Sequence, residues 1–112
     1  MKLLIAYNNN IIMEKMKMIP KLLKTEEIEK KASELKYWEV FENHHLVGIF
    51  DFTDLASSMN FAVKVGKIAE EMQHDPEMSI GAGKVELTLF THDVGGLTDL
   101  DFDFAVKVED LI

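Results

Sequence analysis

The sequence predicts an α+β fold: a two-layer α/β sandwich with a four-stranded antiparallel sheet, helices on one face, and the order α-β-β-α-β-β-α. Three observations lead there. Apolar residues recur at helical spacing in two segments, and a capping-box spacing opens a third helix. Runs rich in β-formers come in two pairs, each joined by a short turn. The chain of 112 residues suffices for one domain around one core.

Taken in chain order, Thr25 reads as the N-cap of a first helix running to about Leu35, with Glu26 and Glu27 in its first turn and Ile28, Ala32 and Leu35 on one face. Tyr37 to Phe41 and His45 to Phe52 read as a hairpin, because Glu42-Asn43-His44 supplies turn residues between them. Thr53 or Asp54 then caps a long helix to about Met72. A short strand from Glu77 to Ile80 follows, with a turn at Gly81-Ala82-Gly83. Next comes a strand from Lys84 to Phe90, in which Val85, Leu87 and Leu89 face one way. The last helix starts at Thr98, whose spacing to Asp101 is that of a capping box. Residues 1–20 read as a poorly ordered leader and 21–112 as the domain.

Composition excludes several classes of function. Twelve basic against twenty acidic residues give a net charge of −8, so the surface is not built to neutralise phosphates and nucleic acid is not an expected partner. Cysteine is absent, which removes disulfides, thiolate metal sites and a cysteine nucleophile, and suits a cytoplasmic protein. The apolar run Leu3-Leu4-Ile5-Ala6 is too short for a signal peptide and no segment is a membrane span. Neither a Gly-rich nucleotide motif nor a nucleophile elbow is present.

The chemistry is concentrated between Glu70 and Asp101. Glu70 is followed after three residues by His74-Asp75-Pro76. Ala82 lies six residues beyond Pro76, His92 ten beyond Ala82, and Asp101 nine beyond His92. This pattern resembles the signature of the pterin-4a-carbinolamine dehydratases: Glu, three residues, His, His or Asn, Pro, then an aromatic, a His and an Asp at those three intervals. The chain departs from it twice, with Asp75 in place of the second His or Asn and Ala82 in place of the aromatic. The likeness continues through Leu22-Leu23, Thr25 to Ile28, Trp38, Phe50-Asp51-Phe52 and Ala69-Glu70, so that roughly residues 22 to 112 are covered.

The resemblance implies dehydration of a 4a-hydroxytetrahydropterin to the quinonoid dihydropterin, with His74 and His92 as the acid/base pair and no metal or redox cofactor. Imidazole suits both proton transfers, because its ordinary pKa near 6.5 leaves both forms populated near neutrality. Asp75, Glu70 and Asp93 are the expected substrate-side carboxylates; Glu70, one helical turn before His74, is spaced to orient its ring. Pro76, Gly95, Gly96, Thr98 and Asp101 are expected to shape the backbone, the two glycines by permitting positive φ and Asp101 as a cap. Ala82 removes a ring that would close one side of the pocket. A two-histidine, one-carboxylate metal site from His74, Asp75, His92 and Asp93 is disfavoured, since adjacent residues diverge and no helical ligand pair exists. His44-His45 reads as a solvated pair in the hairpin turn.

Two further expectations concern assembly and activity. The apolar residues of the long helix wrap too far around it for one sheet to cover, which points to a dimer or tetramer with Phe61, Val65 and Ile68 as candidate contacts. The alternative function is a non-catalytic family member that acts as a homo-oligomeric protein-binding module, since fold resemblance does not choose between the two.

Overall fold

The structure, a computed structural model, describes residues 20–112. The leader expected over residues 1–20 therefore lies, apart from Pro20, outside the described residues. The elements are α1 (Thr25–Ser33), β1 (Trp38–Phe41), β2 (His45–Asp51), α2 (Leu55–Met72), β3 (Glu77–Ile80), β4 (Lys84–Leu89), a 3-10 turn (His92–Val94) and α3 (Asp99–Glu109). All pairings are antiparallel and the strands lie in the order β1-β2-β4-β3. Helix α2 carries the chain from β2 to the far edge, and β4 then returns between β3 and β2.

Strand alternation decides which side chains form the core. Trp38, Leu46, Phe50, Val85, Leu87 and Leu89 share the inward face. The helices cover it with Ile28 from α1, Phe61, Val65 and Ala69 from α2, and Phe102, Phe104, Ala105 and Val108 from α3. The register seats Trp38 opposite Gly48, where an added Cβ would lie 2.8 Å from the indole and 2.9 Å from the Phe50 ring. A glycine there lets the indole cross β2. Among the described residues, no helix is long and apolar enough to cross a membrane.

Local chemistry sets the element ends. Asp54 caps α2 by accepting the Ser57 N–H at 2.8 Å. At the other end Gln73 adopts the left-handed region (φ 52°). Its N–H then reaches Glu70 O, and the His74 N–H reaches Ala69 O at 3.1 Å, an arrangement that fixes where His74 leaves the helix. Helix α1 differs from expectation: Lys24 occupies the cap position and Thr25 is already helical. Glu27 makes the bond to the Lys24 N–H at 3.2 Å, while the Thr25 hydroxyl accepts from the Asn43 amide at 3.1 Å. The helix also stops at Ser33, two residues short of Leu35. Glu42 and Asn43 both have positive φ (54° and 53°), the geometry of a tight hairpin turn. The β1 entry is tied to α3 by Glu109, whose carboxylate accepts the N–H groups of Lys36 (2.7 Å) and Tyr37 (2.9 Å).

The expected contact residues of α2 are corrected by its orientation. Phe61 and Val65 face the sheet and are buried, and Ile68 packs beside them. The apolar flank left open is Leu55, Met59 and Val63, each 46–56% exposed. Edge strand β3 adds Met78 and Ile80, which share the helix-side face with Leu87 and Val85. Both are about 40% exposed at that edge.

The Asp54 cap gives a pH-dependent expectation. Its carboxyl lies below the ordinary 3.8, through the Ser57 backbone N–H first and the Ser57 side chain second. A depressed folded-state value stabilises the fold above 3.8, and this contribution fades as pH falls through the lowered value. Asp54→Ala is expected to lower the unfolding midpoint at neutral pH, with the gap to the parent protein closing below that range in urea titrations at several pH values.

Candidate active site

Three chain ends meet beside the sheet: the C-terminus of α2, the segment after β4, and the N-terminus of α3. Between them lies an open cleft of about 320 Å³ lined by Pro20, Gln73, His74, Asp75, Thr91, His92, Asp93 and Leu100. Four of the residues singled out from sequence, His74, Asp75, His92 and Asp93, thus border one space. That volume falls at the small end of ordinary ligand sites.

His74 is the anchored member. It is 8% exposed, and its Nε2 donates to Asp101 Oδ1 at 2.6 Å. An ionised carboxylate only accepts, so the ring carries its proton on Nε2 and leaves Nδ1 as the free nitrogen. Nδ1 has no hydrogen-bond partner among the described residues, and the His74 side chain borders the cleft. The ring also meets Phe104 edge-on, with centroids 6.1 Å apart. Asp101 and Phe104 are three apart on α3 and present one face to it.

Asp101 has no exposed surface, and its side-chain hydrogen-bond partners among the described residues are all donors. Its Oδ2 accepts the Thr98 N–H at 2.9 Å, the capping-box bond, and the Thr91 hydroxyl at 2.8 Å. With the Thr91 proton committed there, the Thr98 hydroxyl donates to Thr91 Oγ1 at 2.7 Å and itself accepts the Leu100 N–H at 3.2 Å. The cap role expected for Asp101 is therefore real, and the same carboxylate also holds His74. That second role was expected of Glu70. Glu70 is exposed and outside the cleft, and its side chain makes no hydrogen bond among the described residues, because its position on α2 turns it to solvent.

His92 and Asp93 are exposed on the 3-10 turn, and Asp75 is exposed on the strand-ward side of His74. Gly95 does have positive φ (66°). Gly96 does not; a Cβ there would lie 2.6 Å from the Leu22 side chain, so its requirement is close approach. Pro76 is half-buried and not a wall of the cleft. Ala82 does not border it either: its carbonyl faces Ser58 Oγ near the start of α2, at the opposite end of β4 from His92. Its missing aromatic ring therefore opens nothing in this cleft. Among the described residues, no group of three or more His, Asp and Glu is arranged to hold a metal ion. Thr91, Gln73 and Phe104 escaped sequence reasoning; Thr91 carried the only usable signal, as a hydroxyl inside the motif.

Residues 21–111 match the family model for pterin 4 alpha carbinolamine dehydratase. A Rubrobacter xylanophilus protein named for that enzyme is 45% identical over 89 residues, covering 80% of this chain and 83% of its own. One from Alkaliphilus metalliredigens is 39% identical, covering 78% and 79%. In structure the chain is similar to a transcriptional coactivator/pterin dehydratase from Brucella melitensis, with TM-score 0.77 and 26% identity over 81% of this chain and 98% of that one. It shares its fold, at TM-score 0.57 and 23% identity, with a pterin dehydratase-like RuBisCO assembly factor of the alpha-carboxysome; that likeness covers 68% of this chain and 89% of the other. The motif, the site built on it and these matches agree: the chain belongs to the pterin 4 alpha carbinolamine dehydratase family.

Proposed function

We propose that the protein is a cytoplasmic hydro-lyase that dehydrates 4a-hydroxytetrahydropterin, such as 4a-hydroxytetrahydrobiopterin, to the quinonoid dihydropterin during tetrahydropterin recycling. The observation that carries this reading is the clamp on His74: Asp101 holds Nε2 of a ring that borders one cleft together with His92. His92 protonates the hydroxyl on ring carbon 4a, and the C–O bond breaks as the neighbouring ring nitrogen feeds its electron pair toward that carbon. Nδ1 of His74 then takes the proton from this nitrogen, and the carbon–nitrogen double bond is left in the product. Water leaves, and solvent returns both histidines to their starting states. Asp101 is placed to stabilise the imidazolium formed on His74. The scheme uses no metal or redox cofactor. The carboxylate oxygens of Asp75 and Asp93 suit the N–H donors on the pterin edge.

A direct dehydratase assay tests this. His74→Ala and His92→Ala are each expected to lower turnover by about 10²-fold or more, the scale of general acid/base groups, whereas Asp75→Ala should act mainly on KM. Asp101→Ala is expected to impair turnover and also to cost about 3–5 kcal/mol in stability, because it strands buried donors from three elements. If the parent protein gave no acceleration over spontaneous dehydration, the chain would instead be a non-catalytic family member acting through protein binding.

We propose further that the chain forms a dimer or tetramer through the open flank of α2 and the edge strand β3, since Leu55, Met59 and Val63 on the one and Met78 and Ile80 on the other are exposed apolar side chains. Val63→Glu is expected to shift sedimentation toward monomer; a parent protein already monomeric at micromolar concentration would remove this part of the reading.

A further inference from the structure

The two histidines at the cleft are held by different means. His74 has a carboxylate, whereas the His92 ring makes no hydrogen bond among the described residues and sits on a three-residue turn. Its ring partner among the described residues is Phe90, at 4.0 Å between centroids and 40° between planes, the tightest ring pair in the described structure. Phe90 in turn meets His44 at 4.7 Å. His44 Nδ1 lies 3.1 Å from His45 Nδ1, and His45 stacks on Phe41 at 5.9 Å. A continuous row of rings thus runs from the β1–β2 turn to His92.

Phe90 is not there to fill the core. Leu89 and Thr91 on either side of it are buried, while Phe90 is turned to the other side of the strand, half-buried and outside the hydrophobic core. A large aromatic ring at such a position is explained by what it touches. An aromatic face holds an imidazole in either charge state, by stacking when it is neutral and by attraction to the ring quadrupole when it is protonated. An acid that gives up and regains a proton needs its orientation kept through both.

We propose that Phe90, backed by His44, is a positioning residue that fixes the ring of His92 at the cleft. This rests on the reading of His92 as the acid, but the placement of the ring is measurable without any turnover. A reacting group displaced by about an ångström loses up to 10²-fold in rate, so the orienting contact has a kinetic consequence.

The test compares Phe90→Leu, which keeps apolar bulk without a ring face, with Phe90→Tyr, which keeps the face. In proton spectra of the parent protein, the His92 ring resonances are expected to be displaced by the Phe90 ring current. The shifts should collapse toward free-imidazole values in Phe90→Leu and persist in Phe90→Tyr, with the thermal midpoint nearly unchanged in both. In the dehydratase assay, Phe90→Leu is expected to lower kcat by about 10-fold with KM within about twofold, and Phe90→Tyr to restore it. His92 resonances unmoved in Phe90→Leu, or a kcat loss that Tyr does not rescue, would overturn the proposal. Ordered His92 resonances in a protein without dehydratase activity would sink the proposed function while leaving the positioning by Phe90 intact.

Discussion

The site depends on one buried carboxylate. Asp101 has no access to solvent, and a charge in that position is tolerable only if its oxygens are fully engaged. The engagement comes from three element ends: His74 at the end of α2, Thr91 after β4, and Thr98 at the start of α3. Its place in the first turn of α3 adds the favourable end of the helix dipole. Satisfying one anion therefore fixes the mutual position of three chain ends, and the cleft lies where they meet.

The two sides of the cleft are held by different means. On one side His74 is locked by Asp101 and by the Phe104 edge, and its exit from α2 is set by the left-handed turn at Gln73. On the other, His92 and Asp93 stand on the exposed 3-10 turn with the His92 ring against Phe90, and Asp75 is exposed beside His74. In the proposed reaction, a base held by a carboxylate and an acid held against an aromatic ring serve proton transfers at different atoms of one bicyclic ring.

How much of this was legible in the sequence depends on the range of the interaction. The strand pairs, the α2 cap at Asp54 and the Thr98–Asp101 capping box were readable because each rests on neighbours a few residues apart. The fold class followed from them. The His74–Asp101 bond was not readable as a bond: it spans 27 residues, and the helical i,i+4 rule pointed to Glu70 instead. Helical spacing likewise showed that α2 has apolar residues on several sides but not which side meets the sheet, so Phe61 and Val65 were assigned outward when they face the core. Ala82 illustrates the same limit: its spacing to His92 is kept, yet β4 is extended and sets the two at opposite ends of the strand. Phe90 carried no signal at all, since an aromatic at a strand end reads first as core.

The central claim is that Asp101 fixes His74 as the Nε2–H tautomer with a free Nδ1 at the cleft. Long-range proton–nitrogen correlation spectra of the imidazoles at neutral pH test it most directly. The account requires a protonated Nε2 and an unprotonated Nδ1 for His74, with the former losing its distinct shift in Asp101→Ala. A proton on Nδ1, or rapid averaging between the two tautomers in the parent protein, would contradict it.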